Sequence, residues 1–201
     1  EKIEDCVVED ADYAGIDVWS CITGTIQRNT VRRIGYSRTD FTDGAFLNNA
    51  YGIILNRNES ASLVTDPVCD GFTVDSNTVD WVPIWMGINT HGGKNTTFSN
   101  NTVSHCPRGI FVAGSPTGAG TTQCQNLTID SNNIYTPVTK AGGSSDLEGI
   151  LYASVATISI IDNGIDYDAV DPVGGGTIGS PGYFDYGNAS TGETISGNHL
   201  I

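Results

Sequence analysis

The chain of 201 residues is one domain's worth of sequence. Its 23 Asp and Glu against nine Lys and Arg leave a formal charge of −14, which argues against nucleic acid or an anionic membrane as partner unless cations intervene. The uncharged stretch Gly149–Ile161 is too short and too polar to insert into a bilayer. Salt adaptation, a surface that needs Ca2+ and plain solubility all fit the excess of Asp.

Along the chain one short phrase returns: Thr or Ser, a large apolar residue, two variable residues, Asn, one variable residue, then Val, Ile or Leu. A variant opens the series, Ile3-x-x-Cys6-x-Val8, with Cys in place of Asn. Next come Thr25-Ile26-x-x-Asn29-x-Val31, Thr73-Val74-x-x-Asn77-x-Val79 and Thr97-Phe98-x-x-Asn101-x-Val103. Thr128-Ile129-x-x-Asn132-x-Ile134, Ser159-Ile160-x-x-Asn163-x-Ile165 and Thr194-Ile195-x-x-Asn198-x-Leu200 complete it. Between the phrases lie Gly-Ile pairs at Gly15, Gly52, Gly87, Gly109 and Gly149, each opening a strand-like alternation. In three repeats the Gly falls fourteen residues before the Asn.

The two apolar residues of the phrase are five apart, so an unbroken strand would put them on opposite faces. A bend at the Asn lets both point inward, and an Asn at a bend can bond backbone groups and accept unusual dihedrals. The shortest Gly-to-Gly interval, Gly87 to Gly109, is too short for a pair of helices and suits three short strands. Self-similarity at such intervals marks a stacked-repeat architecture. The chain is therefore expected to be all-β, a single-stranded solenoid of about seven coils over residues 1–201. Loop excursions are expected near 32–50, 57–67, 114–123, 137–147 and 166–190. The span from Asn29 to Asn77 holds either one coil with a long excursion, the preferred reading, or two.

The Asn ladder, the Gly-Ile column and the coil length resemble those of the right-handed parallel β-helix of pectate lyase-like proteins and phage tailspikes. That resemblance implies a substrate groove on the outer face of the Gly-Ile strands. It also implies a polysaccharide or cell-surface glycan as partner, an extracellular or virion-surface location, and in the tailspike case a homotrimer. The chain begins within one phrase and ends within another with no polar cap, so further β-helix or a capping segment is expected at both ends.

Alternation along the Gly-Ile strands puts Asp17, Trp19, Asn56, Asn89 and His91 on the outer floor, continued by Phe111 and Leu151. The column just before the Gly reads Ala14, Tyr51, Met86, Arg108 and Glu148, which brings Arg108 and Glu148 within ion-pair reach. Trp19, Tyr51 and Trp85 offer flat faces to pyranose rings, with Asp17, Asn56 and Asn89 as hydrogen-bonding neighbours. His91 or Glu148 is the candidate acid or base, and Arg108 the candidate clamp for a uronate carboxylate. Each also has a structural reading: Arg108–Glu148 as a ladder ion pair, His91 as a turn residue before Gly92-Gly93, Trp81 and Trp85 as packing residues. The adjacent Asp-Asp, Gly-His-Gly and Arg-Ile-Lys of polygalacturonase-like hydrolases are absent.

Asp166, Asp168 and Asp171 have a spacing that suits a Ca2+ loop but lack the Gly and distal Glu of an EF-hand, and an acidic solvated loop is the competing reading. Cys21, Cys69 and Cys124 each fall eight residues before their Asn. They are expected to be small buried hydrophobes, with Cys21–Cys69 or Cys106–Cys124 as conceivable disulfides. Five Asn-x-Ser/Thr sequons accord with an extracellular setting, although Thr97 and Thr128 belong to the repeat itself.

Overall fold

The computed structural model describes residues 1–35, 49–57, 67–114, 123–135, 148–166, 183–185 and 190–201. Most of each expected excursion lies outside them. The described residues form twenty strands, numbered β1 to β20 in chain order, and no helix. They make three sheets in which every pairing is parallel, the arrangement of a parallel β-helix.

The first sheet stacks β1 (Lys2–Glu4), β4 (Ile22–Gln27), β7 (Asp70–Asp75), β10 (Lys94–Ser99), β13 (Cys124–Asp130), β16 (Val155–Ile161) and β19 (Thr191–Ser196). The second stacks β2 (Val7–Glu9), β5 (Thr30–Arg32), β8 (Thr78–Asp80), β11 (Thr102–Ser104), β14 (Asn133–Ile134), β17 (Gly164–Ile165) and β20 (His199–Leu200). The third runs β3 (Ala14–Trp19), β6 (Tyr51–Asn56), β9 (Met86–His91), β12 (Arg108–Ala113), β15 (Glu148–Ala153) and β18 (Tyr183–Asp185).

Two residues always join the first sheet to the second, and the second of them is the ladder residue. The left-handed conformation belongs to the residue before the Asn, contrary to expectation: Asp5, Arg28, Ser76, Asn100, Ser131, Asp162 and Gly197 have φ of 53° to 67°. That residue makes the bend. The Asn turns its side chain inward and ties coil to coil. Asn77 is typical, its backbone N and Nδ2 both donating to Asn101 Oδ1 at 3.0 Å. Its Nδ2 also donates to the Ile26 carbonyl at 2.9 Å. The same bonds recur from Asn29 to Asn198, and the Cys6 backbone N donates to Asn29 Oδ1 at 3.0 Å. Asn29, Asn77, Asn101, Asn132 and Asn163 are buried, so these amides replace water for groups that would otherwise be stranded.

Asn29 bonds Asn77 directly, and β4 and β5 pair with β7 and β8, so the long span between these asparagines is a single coil. Inward columns of Ile, Val, Leu and Phe from all three sheets merge into one core. The Gly of the Gly-Ile column has a steric cause. A Cβ on Gly109 would stand 2.6 Å from both the Gly149 carbonyl oxygen and Ile134 Cγ2, so coils can stack here only without a side chain.

All five cysteines are free thiols. Cys69, Cys106 and Cys124 are buried and fill core positions, as the hydrophobe reading has it, and neither conceivable disulfide is formed. The expected column of Cys21, Cys69 and Cys124 is interrupted, because the strand register sets Gly93 between Cys69 and Cys124.

Candidate functional site

The third sheet is the one flanked by connections of variable length; the turn between the first two sheets never changes. Its register aligns Ala14, Tyr51, Met86, Arg108 and Glu148 as one column. A second column runs Asp17, Ile54, Asn89, Phe111 and Leu151. Trp19 stands beside Asn56, and His91 beside Ala113. The column before the Gly is aligned as expected; the residues expected as one floor divide between two files, and Ile54 stands in the first of them.

Their exposure differs from the expected open floor. Asp17 and Trp19 are exposed, Trp19 by 48%, and His91, Trp85 and Phe111 are half-buried. Tyr51, Asn56, Asn89, Arg108 and Leu151 are buried. The reason is a second apolar cluster outside the main core. Tyr51, Ile54 and Met86 form it, with Tyr13, Ala14, Trp85 and Phe111 packed against them. These side chains come from neighbouring coils and pack against one another on the outside of the sheet.

Tyr51 is the hub. Its ring meets Tyr13 edge-on at 5.5 Å between centroids and His91 edge-on at 6.4 Å. The Asn89 amide nitrogen lies 3.1 Å from His91 Nε2, while Asn89 Oδ1 is buried with no hydrogen-bond partner. The Arg108 guanidinium lies 4.3 Å over the Trp85 ring and 5.8 Å from that of Phe111, a cation held between aromatic faces. Arg108 stands opposite Glu148 in the register.

At the other end of the face the Asp17 carboxylate accepts hydrogen bonds from the Trp19 and Asn56 side chains. Burial around it nevertheless raises its carboxyl above the ordinary Asp value, against the pull of those two bonds. The Tyr13 hydroxyl is also raised, first by burial and then by the Asp17 charge. The face therefore combines one carboxyl that protonates more readily than usual, one imidazole and several aromatic surfaces. Sequence reading missed Tyr13, which precedes the Gly-Ile strand and shows no alternation; its only signal is an aromatic two residues before the Gly.

Trp81, read as a packing residue, lies elsewhere. It stacks on His105 at 4.6 Å with the planes 7° apart, at the corner after the second sheet. Among the described residues no three His, Cys, Asp or Glu side chains converge as metal ligands. The backbone N of Asp166 donates to the Ile134 carbonyl, and Asp168 and Asp171 lie outside the described residues. No family model, curated protein or solved structure matches the chain.

Proposed function

We propose that the chain is an extracellular or virion-surface right-handed parallel β-helix of about seven coils, pectate lyase-like in architecture, that recognises an extracellular or cell-surface polysaccharide on the outer face of its third sheet. One observation carries this reading: Asp17, Asn89 and Phe111 in one file and Trp19 and Asn56 in another, with His91 beside Ala113, lie on the sheet with a connection of variable length on both sides. Rigid scaffolds commonly carry recognition where their loops vary. Trp19 presents an apolar ring to a sugar face, and Asp17 and His91 present polar atoms beside it.

Glycan-array binding of the chain and of Trp19→Ala, His91→Ala, Arg108→Ala and Glu148→Ala tests the proposal. Retained binding in all four variants would remove this face from consideration. Processing of the bound chain, by lyase, hydrolase or epimerase chemistry with His91, Arg108 and Glu148 as the acting groups, predicts unsaturated product, new reducing ends or changed uronate stereochemistry. A second reading, a non-catalytic structural or adhesive rod, is favoured by the burial of Tyr51, Asn89 and Arg108 beneath their neighbours. Absence of binding and of product across a broad glycan panel would favour the rod.

A further inference from the structure

We infer that Cys21 and Cys69 form a modification site, which a small-molecule disulfide of the glutathione class oxidises to an intramolecular disulfide that ties the start of β4 to the start of β7. The inference stands apart from the glycan reading.

The strand register brings the two cysteines together. Ile22 of β4 pairs with Asp70 of β7, so the residues immediately before them, Cys21 and Cys69, stand side by side. The Asp70 backbone N donates to the Cys21 carbonyl at 3.1 Å, which closes the ladder at this level. Neighbouring parallel strands lie about 4.8 Å apart, inside the roughly 4.4–6.8 Å between Cα atoms that a disulfide spans. Both side chains lie on the core side of the sheet: Cys69 belongs to the main core, and Cys21 packs against that core. Both thiols also reach the end of β3. Cys21 Sγ donates to the Trp19 carbonyl at 3.2 Å and Cys69 Sγ to the Val18 carbonyl at 3.5 Å. No other two cysteines are so placed. Cys6 stands beside Asn29, Cys106 beside Val82, and Cys124 between Gly93 and Val155.

Burial sets the order of events. Cys21 is half-buried and Cys69 fully buried, so Cys21 meets the small disulfide first. Its thiolate attacks one glutathione sulfur, the S–S bond breaks, and one glutathione leaves as a thiolate that takes up a proton. The Cys69 thiolate then attacks the Cys21 sulfur of the mixed disulfide and expels the second glutathione. Two protein thiols are oxidised, one small disulfide is reduced to two thiols, and the two cysteine protons end on the glutathiones. Burial raises the Cys69 thiol above its ordinary value, so the second step is the slow one and quickens as pH rises. The new bond closes the chain between residues 21 and 69 and fixes the corner that follows the exposed Trp19.

The test incubates the reduced full chain with oxidised glutathione in the absence of denaturant. Remaining thiols are then blocked after unfolding, and the peptides are mapped by mass spectrometry. The expected result is a monomer lighter by two hydrogens, with Cys21 linked to Cys69 and with Cys6, Cys106 and Cys124 blocked. The rate of closure should rise about tenfold per pH unit below the Cys69 value, following its thiolate fraction. The thermal midpoint should rise by about 5–10 °C on oxidation and return on reduction. Cys21→Ser should abolish both the link and the midpoint shift. Cys69→Ala should leave Cys21 as a lasting glutathione adduct, a readout that does not depend on the variant's stability matching the parent's. A parent chain that keeps five blockable thiols, stops at the Cys21 adduct or links other cysteines would overturn the inference. A link that lowers the midpoint would overturn its stapling role.

Discussion

Asn101 accepts two hydrogen bonds from a single residue: the backbone N and the side-chain Nδ2 of Asn77 both reach its Oδ1 at 3.0 Å. Its own Nδ2 donates to Asn132 Oδ1 and to the Val74 carbonyl, both at 2.9 Å. Asn101→Ala removes all four bonds in a buried corner. Each stranded buried group costs about 1–3 kcal/mol. The expected loss is at least one such increment, read as a lower urea midpoint. An unchanged midpoint would show that water replaces the amide.

Gly109→Ala tests the packing of the third corner. The added Cβ meets the Gly149 carbonyl and Ile134 Cγ2 at 2.6 Å, and a carbonyl of the adjoining coil has no rotamer with which to retreat. Overpacking of this kind costs about 1–3 kcal/mol. The expected outcome is a lower thermal midpoint for this variant, and an unchanged midpoint would show that the coils can part at this position.

The thiols should divide by burial. Burial pushes Cys106 and Cys124 up to about 12 and raises Cys69 as well, so all three are protonated and shielded at pH 8. Cys6 is exposed. A thiol-disulfide colour reagent should titrate Cys6 rapidly and Cys21 more slowly in the native chain. All five should react in denaturant. A total below five would reveal a disulfide.

Asp17 makes stability depend on pH in a set direction. Burial raises its carboxyl above the ordinary value of 3.8, so the folded chain binds this proton more tightly than the unfolded chain does. Its favourable contribution is therefore fully present below the unfolded value and is lost as pH rises through the folded one. Asp17→Asn should gain stability relative to the parent between pH 4 and pH 7 while matching it more closely near pH 3. Parallel denaturation midpoints across that range would contradict the assignment.

The register of the third sheet was readable because Gly and Ile recur together and fix the alignment. Placing Arg108 opposite Glu148 needs only the count of residues before each Gly. The coil alternation likewise reads correctly which face Asn89 and Phe111 occupy. It does not reveal cover. Asn89 is buried, with its amide nitrogen 3.1 Å from His91 Nε2, and no spacing within one repeat reports how neighbouring coils lean together. The bend was misassigned for a related reason. Asn is the residue associated with left-handed backbone, yet the column that adopts it reads Asp, Arg, Ser, Asn, Ser, Asp and Gly and carries no signature of its own.

The asparagine ladder is degenerate. Every rung offers the same acceptor to the coil before it and the same donors to the coil after it, so Asn29 would find in Asn101 the bonds it makes with Asn77. Nothing in the rung distinguishes the right neighbour from the next one along. Coil order must come from the lengths of the connecting segments and from misfits such as Phe72 lying across Gly24. The longest interval between rungs, Asn29 to Asn77, is then where a skipped coil is most easily mistaken for the native one, because loop-closure entropy discriminates only weakly between long closures.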